Sequence, residues 1–319
     1  QWGDIKLGTV LFNTQSQLMN ELATNSEDYP FKRSNSGAGL ELQIPLYDLM
    51  EFVSSLRAER YSDFGKVMTG KLCAKLEVAD NTHLRISTGT GFRAPTLAQT
   101  SASNYSRFGL TSSTDYYSVG NPDLKPETSV SYELGTLYQD ERLQAGIMFF
   151  NNEIEDMIVS DSWRPPLYRP RVMTYTNVSK ARIQGYELQG SYAFTDAVSA
   201  RANYTYSDAE NRDTGNELNY SPKHVGNIGL DWQVLPKLGL NLDYQYTGNQ
   251  MLVIPNNASS VESDAYHTVS LGTKFQATKE LALKAGVNNL TDSKRDDVAQ
   301  SIDHLLMGRT VFVGFSYDL

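Results

Sequence analysis

The feature that most constrains this chain is alternation. Val198, Ala200, Ala202, Tyr204 and Tyr206 interleave with Ser199, Arg201, Asn203, Thr205 and Ser207. Leu238, Leu240, Leu242, Tyr244 and Tyr246 interleave with Gly239, Asn241, Asp243, Gln245 and Thr247, and Leu281, Leu283, Ala285 and Val287 with Ala282, Lys284, Gly286 and Asn288. Leu40, Leu42 and Ile44 flank Glu41 and Gln43. A strand sends successive side chains to opposite faces, so each stretch carries one apolar and one polar face. The pattern predicts about fourteen strands, near 5–13, 38–46, 51–60, 68–78, 83–91, 128–138, 142–152, 172–192, 197–207, 223–234, 238–248, 265–276, 280–289 and 309–319. Most span about 10 residues, the length a tilted membrane strand needs.

The connections sort by length. Short ones are 47–50, 79–82, 139–141, 195–196, 235–237 and 277–279. The others are mostly long: 14–37, 92–127, 153–171, 208–222, 249–264 and 290–308, with 61–67 shorter. Short turns at one end and long loops at the other are the arrangement of an outer-membrane barrel, with periplasmic turns and extracellular loops. Composition is compatible. Mean hydropathy is −0.42 and no run of 18 apolar residues exists, which excludes a transmembrane helix. A barrel escapes that test because only every second residue faces lipid.

The polar face carries Lys71, Lys75, Glu77, Arg201, Asp243, Lys274 and Lys284, which suits a wet or plugged lumen. Tyr186, Tyr192, Phe194, Tyr204, Tyr206, Tyr244 and Tyr246 bunch towards strand ends on the apolar face, where interfacial aromatic girdles sit. Val311, Val313, Phe315, Tyr317 and Leu319 face one way in the last segment; in a soluble sheet that would be a bare apolar edge. The net charge of −9 speaks against nucleic acid as a partner, since such proteins carry a basic footprint. The single Cys73 rules out an internal disulfide and thiolate metal sites of the usual kind.

The stretch 89–127 is the most distinctive. It opens with Gly89-Thr90-Gly91-Phe92-Arg93-Ala94-Pro95 and closes with Gly120-Asn121-Pro122-Asp123-Leu124-Lys125-Pro126-Glu127. Between them lies a Ser-, Thr-, Asn-, Tyr- and Gly-rich loop, longer than the about 12–15 residues at which unstructured loops become uncommon unless functional. Pro95 denies its strand a donor and ends it. Asn121-Pro122-Asp123 reads as a turn.

With these motifs on the page, the chain resembles the C-terminal part of TonB-dependent outer-membrane receptors. The resemblance rests on an ordered set: Phe92-Arg93-Ala94-Pro95; Asn121, Pro122, Leu124, Pro126 and Glu127; Tyr132-Glu133-Leu134-Gly135; Phe149-Phe150-Asn151-Asn152; Tyr175-Thr176-Asn177-Val178; Gly185-Tyr186-Glu187-Leu188; Pro222-Lys223-His224; Gly286-Val287-Asn288-Asn289-Leu290; and Gly308-Arg309. Two departures stand out: Thr291-Asp292 replace the usual Phe-Asp, and the last residue is Leu319 rather than Phe. The resemblance implies an all-β, antiparallel transmembrane barrel, of which residues 1–319 are the C-terminal part. About fourteen strands of a 22-stranded barrel would be visible, without the plug domain that fills such a barrel. A self-contained fourteen-stranded, porin-like barrel is the other reading of the same count. The resemblance also implies a Gram-negative outer-membrane location, contact with lipopolysaccharide and outer-membrane lipid, and energy from a TonB-type complex acting through the plug.

Catalytic signatures are missing: the four histidines, His83, His224, His267 and His304, are scattered, and no phosphate loop, nucleophile elbow or His-Glu-x-x-His occurs. No enzyme and no resident cofactor or metal is expected; iron would pass only as part of the cargo. The loops offer a binding composition instead. Tyr105, Arg107, Phe108, Tyr116 and Tyr117 lie in the first, and Trp163, Arg164, Tyr168, Arg169 and Arg171 in the second. Rings supply stacking area and guanidinium groups offset negative charge, which suits a flat, anionic, partly apolar ligand. A ferric siderophore of catecholate type has that character. In the haem-uptake branch the two motifs bracket a His ligand, and no His lies between Pro95 and Asn121 here. Cobalamin remains an alternative, without clustered loop carboxylates in its favour.

Overall fold

The computed structural model describes residues 5–18, 31–46, 49–101, 106–108, 116–163, 171–253, 260–294 and 308–318, with backbone alone at 16–18, 31, 106–108, 116–118, 160–163, 171–173, 178–179 and 253. In chain order the strands are β1 (Lys6–Leu18), β2 (Phe31–Leu46), β3 (Met50–Tyr61), β4 (Gly65–Ala79), β5 (Thr82–Arg93), β6 (Ser106–Phe108), β7 (Tyr116–Ser118), β8 (Glu127–Gln139), β9 (Leu143–Trp163), β10 (Arg171–Thr195), β11 (Val198–Asn211), β12 (His224–Leu235), β13 (Leu238–Thr247), β14 (Gln250–Val253), β15 (Ser260–Ser263), β16 (Tyr266–Gln276), β17 (Leu281–Asn288) and β18 (Thr310–Tyr317). A short helix, α1 (Leu97–Thr100), follows β5. Sixteen strands form one sheet, and fourteen of them follow one another along it in chain order: β1 to β5, β8 to β13, then β16 to β18. Each of the fourteen alternating segments corresponds to one strand of this path.

Every neighbouring pair on the path is antiparallel. Because directly opposed residues share a face, the register carries one face assignment across the whole sheet. On the outward face Leu72, Ile86, Leu134, Phe149, Ile228 and Leu242 are all exposed, and Val313 reaches 83%. Large apolar side chains covering one face so completely belong against lipid rather than water. The other face is polar and carries its own ion pairs. Arg201 lies over Gly229 and pairs with both Asp231 and Asp243, and Asn241 donates to Asp243 at 3.0 Å. Among the described residues no helix is long and apolar enough to cross a membrane, which says nothing of strands.

The structure departs from expectation at the long-loop end. β9 runs on to Trp163 and β10 begins at Arg171, so much of the expected 153–171 loop is strand. β1 and β2 likewise extend into 14–37. The reason is that ladder hydrogen bonds need only backbone. Beyond the lipid layer the outward side chains no longer have to be apolar, so the strand continues while its alternation signal fades. The pieces α1, β6, β7, β14 and β15 are too short to leave a periodic trace.

Candidate functional site

The long-loop rim is organised around the stretch 92–127. Phe92 ends β5 edge-on to Tyr61, with ring centroids 5.5 Å apart, and 6.4 Å from Phe64. Arg93 forks onto Glu127, its Nε donating to Oε2 at 2.6 Å and its Nη2 to Oε1. Glu127 is buried and also accepts the Ile158 N–H at 2.7 Å. A buried carboxylate is tolerable only when paired and hydrogen-bonded in this way. Pro95 is fully buried, and its carbonyl accepts Nη1 of the buried Arg33 at 2.6 Å. Arg33 holds Asp63 with Nε at 2.7 Å and lies over the Phe64 ring at 5.2 Å. One guanidinium therefore ties β2, the β3–β4 turn and the exit from β5 together.

Thr96 then starts α1 with a capping box: its hydroxyl accepts the Gln99 N–H at 3.1 Å, and Gln99 accepts the Thr96 N–H at 2.8 Å. The returning limb closes over this helix. Gly120 donates to the Ser101 carbonyl at 3.2 Å and Asn121 to that of Gln99 at 2.6 Å. A Cβ on Gly120 would stand 2.5 Å from the Ser101 oxygen and 2.6 Å from that of Ala98, so the close approach requires glycine. Asn121 accepts the Asp123 N–H at 2.9 Å, an Asx turn around Pro122, and donates to the Tyr175 carbonyl at 2.9 Å. Leu124 is buried beside it. Asn177 then treats Lys125 as a neighbouring strand would. Its Oδ1 accepts the Lys125 N–H at 3.0 Å, and its Nδ2 donates to the carbonyls of Lys125 at 3.0 Å and Asp156 at 2.5 Å. Pro126 has no N–H to satisfy in this crowded passage.

The loop between these limbs reaches β10. β7 pairs with it in parallel, Tyr116 opposite Arg171 and Tyr117 opposite Val172, while β6 pairs antiparallel with β7, Arg107 opposite Tyr117 and Phe108 opposite Tyr116. On the other edge of β10, Trp163 stands opposite Val172. β11 joins β10 only from Ala181 onward, so β7 takes the edge that β11 leaves. The result is a ribbon in the order β6, β7, β10, β9. It brings together backbone positions of Arg107, Phe108, Tyr116, Tyr117 and Trp163, which come from two separate loops. Tyr105, Arg164, Tyr168 and Arg169 lie outside the described residues.

The neighbouring loops are also built in. Leu218 folds back from the loop after β11 onto Ala181 and Ala209, packed by Ile154 and Ile183. Tyr220 donates its N–H to the Met251 carbonyl at 2.8 Å, and Ser260 donates to Asn219 at 2.9 Å, so this loop rests on the β14–β15 hairpin. After β17, Asp292 accepts the Arg309 N–H at 2.8 Å, which holds its carboxyl below the usual carboxylate range. No group of three or more His, Cys, Asp or Glu able to hold a metal ion occurs among the described residues. The arrangement is a hydrogen-bonded mount for loops, with guanidinium and aromatic residue types at the ribbon it carries.

A lipid-facing sheet with braced loops at one rim defines a membrane β-barrel of the receptor type. Residues 3–290 match the family described as TonB dependent receptor-like, beta-barrel, and the chain belongs to that family. It is a protein of the outer membrane. The chain is 28% identical over 266 residues to the Ferric enterobactin receptor PirA of Pseudomonas aeruginosa, covering 78% of this chain and 35% of that protein. It is 29% identical over 249 residues to the Vitamin B12 transporter BtuB of Vibrio vulnificus, covering 76% of this chain and 35% of that one. A solved structure of a ferric enterobactin receptor mutant (Q482A) from Pseudomonas aeruginosa, in complex with enterobactin, superposes with a TM-score of 0.77 at 23% identity, over 98% of this chain and 51% of that one. At that identity the likeness is one of fold. The chain spans about a third of the length of the curated relatives it matches.

Sequence reasoning passed over two residues of the mount. Arg33 sits in a segment read as loop, and nothing local marks its partnership with Pro95. Asn177 lies within a quoted motif, but its role depends on a chain segment 52 residues away.

Proposed function

We propose that the chain is the barrel part of a receptor that takes up a ferric siderophore of catecholate type across the outer membrane. The observation that carries this reading is the β6–β7–β10–β9 ribbon, which gathers Arg107, Phe108, Tyr116, Tyr117 and Trp163 from two loops. Tyr105, Arg164, Tyr168 and Arg169 belong to the same two loops and complete the proposed contact set. Aromatic area with guanidinium charge matches a flat, anionic, partly apolar chelate, and the relatives named for ferric enterobactin support it. Iron enters only inside the cargo, with no resident cofactor. A plug in the lumen, a TonB-type complex that pulls on it, and surrounding lipopolysaccharide complete the proposed assembly. The test is growth of an iron-starved, receptor-deleted strain carrying the intact receptor gene. Growth on a ferric catecholate that requires both the receptor gene and TonB supports the reading; failure of the expressed receptor to restore growth on any ferric catecholate overturns it.

Cobalamin is the second reading, favoured by the similarity to a vitamin B12 transporter. Haem has less support, because the loop between Pro95 and Asn121 lacks histidine.

A further inference from the structure

Part-way down the polar face, two cations meet without a partner. Lys75 on β4 stands directly opposite Arg85 on β5. Like charges so placed repel one another, yet neither makes an ion pair or a side-chain hydrogen bond among the described residues. The outer rim is built the other way: Arg33 holds Asp63, Arg57 holds Glu59 and Arg93 holds Glu127. Glu51, opposite Lys75 on its other side, accepts from Gln43 instead. Both cations border a cavity of about 590 Å³ in the inner wall, the size of a small-molecule site. The wall is bare backbone at Gly135, which stands opposite Arg85, and at Gly146. His83 lines the same cavity and has a buried ring nitrogen, Nδ1, with no partner. Such a nitrogen costs free energy until something meets it. Gln189, Asn203 and Thr205 add neutral polar groups, and Glu187 is the one carboxylate among the described lining residues.

We infer that this cavity is an inner site for small anions, which takes up the anionic oxygen groups of the transported chelate after it leaves the loop ribbon. The inference rests on the proposed uptake of an anionic chelate. Continuity gives the route. β10 carries the ribbon where it begins, at Arg171 and Val172, and the cavity wall further along, at Glu187 and Gln189. β5 joins the rim at Arg93 to the cavity at Arg85. A chelate moving along these strands from the rim towards the short turns meets the two cations. A concave wall focuses the field of charges that nothing in the wall neutralises. Lys75 and Arg85 donate to phenolate or carboxylate oxygens, and the guanidinium fork engages two at a time. Glu187 weakens the hold, and a transit site must bind weakly enough to let go.

Uptake of radiolabelled ferric catecholate by cells carrying the intact receptor provides the test, with surface binding measured separately in de-energised cells. In the Lys75→Gln, Arg85→Gln variant the maximal uptake rate is expected to fall about fivefold or more, while the binding constant stays within about twofold of wild type. The charge-retaining Lys75→Arg, Arg85→Lys variant is expected to keep most of the uptake. Lys274→Gln, Lys284→Gln removes another directly opposed inward pair, which does not line this cavity. It is expected to leave uptake within about twofold of wild type. Uptake by the Lys75→Gln, Arg85→Gln variant equal to wild type would overturn the inference. An equal loss in the Lys274→Gln, Lys284→Gln variant would also overturn it, by assigning the effect to overall lumen charge. A fall in binding that accounts for all the lost uptake would place the pair at the capture step, against the inference. Faster protease cleavage of a lumenal plug in the Lys75→Gln, Arg85→Gln variant would assign the pair to plug seating, again against it. If that variant loses its heat-resistant folded form, Arg85→Gln alone is read by the same criteria. Wild-type cells that take up no ferric catecholate contradict the proposed cargo; wild-type uptake with an unaffected variant contradicts this inference alone.

Discussion

Single side chains do the work of secondary structure where the strands stop. Asn177 satisfies three backbone groups, the Lys125 N–H and the carbonyls of Lys125 and Asp156. Asn177→Ala hands these groups to water, and because two of the three bonds are exposed the expected loss is that of ordinary hydrogen bonds, about 0.5–1.5 kcal/mol. Faster hydrogen exchange at Lys125 and weaker ligand binding are expected together; unchanged exchange would show that the amide is dispensable. Asn177→Asp should be worse than Ala, since a carboxylate would face two carbonyls. Gly120→Ala should free residues 96–101 to proteolysis, because the new Cβ meets backbone oxygens that cannot swing aside. Asp140, in the turn after β8, accepts the N–H groups of Leu143 and Arg142 and the Tyr138 hydroxyl, which together hold its carboxyl below the usual range. A depressed carboxyl stabilises the fold above its unfolded pKa of about 3.9, and that contribution is lost as pH falls through the lower folded value. The stability gap between wild type and Asp140→Ala should therefore be full at neutral pH and close in strong acid. A gap that persists in strong acid would assign the effect to something other than the carboxylate.

At the scale of elements, alternation does most of the placing. The fourteen strands were legible because lipid on one side and a polar lumen on the other impose opposite demands at every step. A charge on the lipid side should therefore be costly: Leu242→Arg is expected to destabilise by about 2–4 kcal/mol. Ser131→Arg, on the polar face of β8, should change stability little. Urea titration in lipid vesicles checks both, and equal costs would mean that the faces are misassigned. What was not legible lies above the membrane. There the outward residues turn charged and the inward ones apolar, so β9 and β10 overran the ends that periodicity gave them. The Arg107, Tyr117 and Trp163 positions could be singled out by composition. Their meeting on one ribbon could not, because it depends on β7 crossing to an edge of β10 that becomes available only above Ala181.

For the whole molecule, the membrane barrel and the receptor rim are one construction. Arg33, Arg93 and Asn177 brace the loops on the same strands whose outward faces meet lipid, so the β6–β7–β10–β9 ribbon proposed to meet the ligand is held by those strands. Sequence motifs identified that rim because they are the brace: Phe92 to Pro95 and Asn121 to Glu127 are the residues that interlock. The ligand is the central claim, and it rests on residue types at the ribbon rather than on the brace. The direct measurement is equilibrium titration of the intact receptor with ferric catecholate, ferric hydroxamate, haem and cobalamin, each read by the same fluorescence signal. Saturable, tightest binding of the ferric catecholate, weakened in an Arg107→Ala, Tyr117→Ala variant, is the predicted result. Tight binding of haem or cobalamin with no response to any ferric siderophore would contradict it.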